Sequence, residues 1–78
     1  MRYTVLLHKN RDVTGYSVIV PELPGCFSQG ETLQEALENI REAIELHIEE
    51  MMEAGEEVPQ ETEPFVVAHV DVELKAKV

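Results

Sequence analysis

Over the first thirty positions, hydrophobic and polar residues follow the pattern of short β-strands separated by turns. Residues 2–9 and 16–20 are rich in β-branched, aromatic and aliphatic side chains, and a polar turn at 10–15 lies between them. Pro21 and Pro24 interrupt the second strand, because proline donates no backbone hydrogen bond to a ladder. A third short strand is predicted at residues 26–29, just before Gly30. The pattern therefore predicts a hairpin followed by one further strand.

After Gly30 the pattern changes to the three- and four-residue spacing of an amphipathic helix. Thr32 and Glu35 have the spacing of a capping box, which marks a helix start. Gly55 is suited to the position just past a helix end, and Pro59 blocks further helix. We predict one helix, residues 33–54, with this apolar stripe: Leu33, Ala36, Leu37, Ile40, Ala43, Ile44, His47, Ile48 and Met51.

A final strand is predicted over residues 65–74. Its even positions, Val66 to Leu74, are uniformly apolar, whereas the odd positions become polar from His69 onward. The predicted order is β-β-β-α-β. This corresponds to an α+β fold in which one long helix packs on a small, mostly antiparallel sheet. Residues 1–78 are expected to form a single domain.

Several predicted strands are apolar on both faces. Residues 5–7, 18–20 and 65–68 show no polar alternation, although a single helix can cover only one face of a sheet. We expect another chain to cover part of the second face or a strand edge; the alternative is that strand ends and the acidic loop at residues 56–63 cover it. The lone cysteine excludes an internal disulfide, and no paired Cys/His spacing indicates structural zinc. Small domains without these supports often self-associate, so we expect a homodimer or homotetramer.

The net charge of −10 is concentrated in one part of the chain. Residues 31–63 contain twelve acidic residues and one basic residue, Arg41. Such a surface repels nucleic acid and suits a basic protein partner; the alternative is that the charge only keeps a helix face solvated. No apolar run approaches the roughly 20 residues of a membrane helix, and no secretory signal is recognisable. The predicted location is the cytoplasm, without direct nucleic-acid or membrane binding.

The candidate chemistry is sparse. Cys26 is the only thiol, and its neighbours offer no base that would activate it. His8, His47 and His69 fall on three different predicted elements, so they form no local metal motif. The glutamates lie at solvated helix positions and in a loop. We therefore expect no catalytic site, no bound metal and no cofactor, and hence a protein that is not an enzyme.

The sequence resembles the HicB-like antitoxin domain over nearly its whole length. The residues that carry this resemblance are Pro21, Leu23, Pro24, Gly25, Cys26, Gly30, Thr32 and Glu35. Their expected roles are structural: the prolines fix a bend, Gly25 permits a close backbone approach, Cys26 points into the core, and Gly30 and Thr32 turn the chain into the helix. The resemblance implies a partial RNase H-like fold with the last strand beside the first.

The resemblance also implies a function, neutralising a HicA-like toxin, which is a small basic mRNA-cleaving protein, by masking it. Many members carry a C-terminal DNA-binding domain, and we expect none in this chain. A basic toxin partner and the concentration of acidic residues together indicate a protein-binding surface on the acidic loop and the last strand. Its predicted residues are Glu56, Glu57, Glu61, Glu63, Phe65, Val67, His69 and Asp71. The alternative is an orphan, self-associating HicB-like domain without a toxin partner.

Overall fold

A computed structural model describes residues 1–75, in which three strands precede one helix. The strands are β1 (Leu6–Lys9), β2 (Tyr16–Ile19) and β3 (Phe27–Gly30), and the helix is α1 (Leu33–Glu53). The sheet is antiparallel in the order β1-β2-β3, so β1 and β3 form its two edges. The predicted α+β class with one long helix is confirmed. The predicted domain runs to residue 78, and its last three residues lie outside the described part.

Both ends of α1 are closed by hydrogen bonds that the local sequence supplies. Glu35 N–H donates to Thr32 Oγ1 at 3.0 Å, while Glu35 Oε1 accepts from the N–H of Glu31 at 3.2 Å. At the other end Gly55 has a φ of 74°, which places it in the left-handed region. This lets Gly55 N–H reach Met52 O at 3.1 Å and Glu56 N–H reach Met51 O at 2.9 Å. The helix is thus capped by Thr32 at its N-terminus and ends in a Schellman motif.

The core lies between the sheet and the first half of α1. It consists of six buried residues: Val18, Val20, Leu23, Cys26, Ala36 and Ile40. Gly30 makes this packing possible, since a Cβ there would lie 2.8 Å from Ala36 Cα and would also collide with Ala36 N. At about 1.5 Å per residue α1 is about 32 Å long, whereas a four-residue strand spans about 13 Å. The second half of the helix therefore extends past the sheet.

The segment between β2 and β3 is a compact double turn. Leu23 N–H donates to Val20 O, and Cys26 N–H donates to Leu23 O, both at 3.0 Å. Leu23 and Cys26 are buried, as a bend pointing into the core requires. The expectation for Gly25 is wrong: no atom lies within 4 Å of the position of an added Cβ. The turn instead needs glycine for its φ of 86°.

The predicted last strand differs from the structure. Within the described residues the sheet has three strands, and residues 65–75 pair with none of them. The segment is exposed, and the Cα radius of gyration, 16.0 Å, exceeds the roughly 11.5 Å expected for a compact chain of this length. The physical reason is that alternating apolar residues favour a strand, but a strand forms only where another strand supplies its backbone hydrogen bonds. Residues 65–75 are called the tail below.

Candidate protein-binding surface

The most acidic part of the molecule is the end of α1 and the loop that follows it. Residues 49–63 contain seven glutamates and no lysine or arginine. Glu56, Glu57 and Glu63 are exposed, and Glu61 is half-buried. We call residues 56–63 the acidic loop. Because the helix end lies beyond the sheet, these carboxylates project into solvent, where a partner can reach them.

Two hydrogen bonds fasten the acidic loop to the chain that leads into β1. The Tyr3 hydroxyl donates to Pro59 O at 2.6 Å, and Thr4 N–H donates to Glu61 Oε1 at 3.3 Å. Burial, with a smaller contribution from the negative charge of Glu22, raises the pKa of Tyr3, so this hydroxyl keeps its proton well past neutral pH. One predicted binding residue, Glu61, therefore also holds the loop in place.

The other predicted binding residues lie on the tail, on one side of its alternating pattern. Phe65, Val67, His69 and Asp71 are all exposed, and the exposed fraction is 43% for Phe65 and 67% for Val67. The tail begins at Phe65, only a few residues after Glu61. The structure thus places the acidic loop and the tail next to each other along the chain, and the assignment of their side chains to a binding surface stays a prediction.

A second exposed apolar surface lies on the sheet face away from α1, and none of its residues is among the predicted binding residues. Leu6, Ile19 and Phe27 are register partners across all three strands. Their side chains are 38%, 51% and 70% exposed. We call Leu6, Ile19 and Phe27 the apolar row. The sequence indicated such a surface because residues 5–7 and 18–20 are apolar on both faces, and a covering chain was expected for that reason. The row is exposed within the single chain, as that expectation requires.

A third feature is an open groove between the residues leading into β1 and the side of α1. The β1–α1 groove has a volume of about 480 Å³. It is lined on one side by Met1, Tyr3 and Val5 and on the other by Leu37, Ile40, Arg41, Ile44, Glu45 and Ile48. Most of these helix residues belong to the apolar stripe predicted from the sequence. The three-stranded sheet fully buries only Ala36 and Ile40 of that stripe. The groove lies where the apolar stripe continues beyond the edge of the sheet.

The described residues offer few groups for catalysis. Cys26 is buried in the core, and burial raises the pKa of its thiol, which disfavours the nucleophilic thiolate. Within residues 1–75 no three His, Cys, Asp or Glu side chains are arranged to hold a metal ion. No helix in that range is both long and apolar enough to span a bilayer. The exposed features of the described residues are carboxylates and apolar side chains.

Comparison with known families decides the relationship. Residues 3–76 match the family described as the HicB-like antitoxin of bacterial toxin–antitoxin systems. The chain belongs to this family. The resemblance inferred from the Pro21–Cys26 segment and the capped helix is thereby confirmed, and an antitoxin role in general is the family's function.

Individual relatives share much of the sequence. A UPF0150 protein of Thermoplasma acidophilum is 46% identical over 70 residues, covering 88% of this chain and 99% of its own length. A UPF0150 protein of Synechocystis is 52% identical over 59 residues, covering 76% and 73% of the two chains. An uncharacterized 14.9 kDa protein of Haemophilus phage HP1 is 45% identical over 85 residues; the match covers 95% of this chain but only 62% of the phage protein.

Proposed function

We propose that this chain is an antitoxin that neutralises a HicA-like, mRNA-cleaving toxin by binding it and covering its active surface. The observation that carries the proposal is the run of seven glutamates without a lysine or arginine at residues 49–63, in a chain of the antitoxin family. A protein that cleaves mRNA must hold a polyanion and therefore presents basic side chains. A carboxylate-rich surface is the complementary partner for such a site.

The proposed contact surface is the acidic loop together with the odd-numbered side of the tail. The carboxylates of Glu56, Glu57 and Glu63 supply negative charge, and Phe65 and Val67 supply exposed apolar area beside it. Anchoring by Tyr3 and Thr4 reduces the conformational entropy that the loop loses on binding. In this mechanism inhibition is steric and electrostatic, no bond is made or broken, and the protein acts in the cytoplasm, where its toxin meets mRNA.

The first test is co-expression with the small basic protein encoded by the adjoining gene. We expect that protein to arrest growth alone, and growth to recover together with a purifiable complex when this chain is present. Absence of both a complex and growth recovery would refute the proposal. If this chain forms no complex with a toxin but still self-associates, the better interpretation is an orphan domain without a toxin partner. The exposed apolar row and the β1–α1 groove already favour self-association.

The second test locates the surface. Glu57→Lys and Asp12→Lys each change the net charge by two at an exposed position, one in the acidic loop and the other in the β1–β2 turn. We expect Glu57→Lys to slow association with the toxin markedly and Asp12→Lys to slow it little. The wild-type association rate should also fall as ionic strength rises, because the Debye length shrinks to about 8 Å at 0.15 M salt. Equal effects of the two variants would remove the acidic loop from the interface, and a salt-independent rate would exclude electrostatic steering.

A further inference from the structure

The tail has the pattern of a sheet strand without a partner. Its even-numbered side is apolar throughout, and Val66, Val70, Val72 and Leu74 are 81–93% exposed. A series of isolated valines at period two on one side of a segment is a poor surface for water and a good one for a packed strand. The tail therefore has one apolar face whose burial would be favourable, and residues 1–75 of the same chain do not bury it.

The β1–α1 groove has the complementary shape and chemistry. On the helix side, Leu37, Ile44 and Ile48 follow one stripe over about 16 Å. On the sheet side, β1 is an edge strand, so within the described residues its outer edge has no neighbouring strand. A fourth strand added beside β1 would complete the ladder and cover this stripe. The five even-numbered apolar residues of the tail span about 26 Å, which is long enough to cover it.

A short, proline-containing link connects the tail to the anchored acidic loop, and the tail does not occupy the groove of its own chain. The chain is held at Tyr3 and Thr4 through Pro59 and Glu61, next to the Met1 end of the groove. Only residues 62–64 link this anchor to the tail, and they include Pro64. Proline restricts both its own φ and the conformation of the preceding residue to extended values. In the structure no residue of the tail lines this groove and residues 65–75 are exposed, so the groove is not filled by the tail of the same chain.

We propose that two copies of this chain exchange tails, each tail adding as a strand to the edge of β1 in the partner and filling the partner's β1–α1 groove. The exchange is reciprocal, so one twofold axis satisfies both grooves with the same contact. It buries the even-numbered side of the tail and leaves the odd-numbered side, with Phe65, Val67, His69 and Asp71, outside. Self-association and the proposed toxin surface thus use opposite faces of one strand.

The direct test is solution NMR on a mixture of isotope-labelled and unlabelled wild-type chains. We expect nuclear Overhauser effects between chains that link tail methyls of Val66, Val70 and Val72 to groove methyls of Ile44 and Ile48. Finding those contacts only within one chain would overturn the exchange. No toxin is needed, so the result does not depend on the proposed function.

The second test uses paired variants and light scattering at micromolar concentration. Val72→Lys and Glu73→Lys introduce the same side chain at neighbouring positions on opposite faces of the tail. We expect wild type and Glu73→Lys to show a mass of at least two 8.8 kDa chains, and Val72→Lys to show that of one chain. Circular dichroism verifies that α1 is retained in each variant. A monomeric wild type, or equal loss of association in both variants, would contradict the proposal.

Discussion

Gly30 provides the sharpest quantitative test of how the sheet and helix are joined. It lies at the end of β3, where the backbone of α1 passes directly over it, and an alanine methyl there would sit 2.8 Å from both Ala36 Cα and Glu35 C. Carbon atoms pack at about 3.5–4.0 Å, so α1 would have to move away by about 0.7–1.2 Å. Neither colliding group is a flexible side chain that could turn aside. The Gly30→Ala variant must therefore lift the helix from its core contacts.

The cost follows from known responses to overpacking. Forcing an extra methyl into a packed interior destabilises by about 1–3 kcal/mol. Restricting the unfolded chain by replacing glycine offsets about 0.4–1 kcal/mol of this. We expect a net loss of about 1–2 kcal/mol in the free energy of unfolding. With a urea m-value of about 1 kcal/mol/M, the midpoint should fall by about 1–2 M.

The assay is urea unfolding followed by circular dichroism at one fixed protein concentration, because association shifts the midpoint. Gly25→Ala is the matched control: a methyl there meets nothing within 4 Å, and its only penalty is the φ of 86°. A left-handed non-glycine residue costs about 1–2 kcal/mol before the same offset. Only Gly30→Ala should also shift the NMR resonances of the first turns of α1. A Gly30→Ala protein with wild-type stability and unshifted helix resonances would refute the close-contact argument.

Three further predictions concern single side chains. Thr32→Ala removes the acceptor of the 3.0 Å cap hydrogen bond and should lower stability by about 1 kcal/mol in thermal unfolding, whereas Thr32→Ser should retain most of it; equal losses would exclude the cap as the cause. Tyr3→Phe deletes the hydrogen bond to Pro59 O and should speed amide hydrogen exchange in the acidic loop while leaving the core unchanged, and unchanged loop exchange would count against the anchor. Burial raises the pKa of the Cys26 thiol, so the folded protein favours the protonated thiol. The stability that this preference provides is complete below the unfolded pKa of about 8.5 and is lost as the pH rises further. Urea midpoints should therefore fall more steeply above pH 8.5 in wild type than in Cys26→Ala, and parallel slopes would contradict this.

The proposed exchange of tails gives the exposed features of the single chain one explanation. In this arrangement the groove of each chain receives its fourth strand from the other copy, and the exposed tail is buried there. The same arrangement would hold the odd-numbered side of the tail, which is proposed to contact the toxin, on a rigid sheet edge next to the partner's Tyr3 and acidic loop. Pre-organising these side chains lowers the entropic cost of toxin binding.

Local signals in the sequence predicted the three strands and the helix, and they located the helix limits more closely than the start of β1, which was predicted at residue 2 and lies at Leu6. The capping residues Thr32 and Glu35 and the C-terminal Gly55 act within one turn of the backbone, so the start and end of α1 were predictable within a residue. The proline-rich bend before Cys26 likewise depends on neighbours only a few positions away. The acidic loop was recognisable because an uncompensated run of glutamates cannot be buried in any fold.

Only the tertiary structure decided which apolar residues lie in the core and which remain exposed. The stripe predicted on α1 contains both Ile40 and Leu37, yet Ile40 is buried and Leu37 is 40% exposed, because a three-stranded sheet is narrower than the stripe. The alternating pattern of residues 65–74 specifies a strand with one apolar side, but backbone hydrogen bonding does not depend on which chain supplies the neighbour. Periodicity therefore determined the faces of the elements, and the width of the sheet determined which of those faces still need a partner.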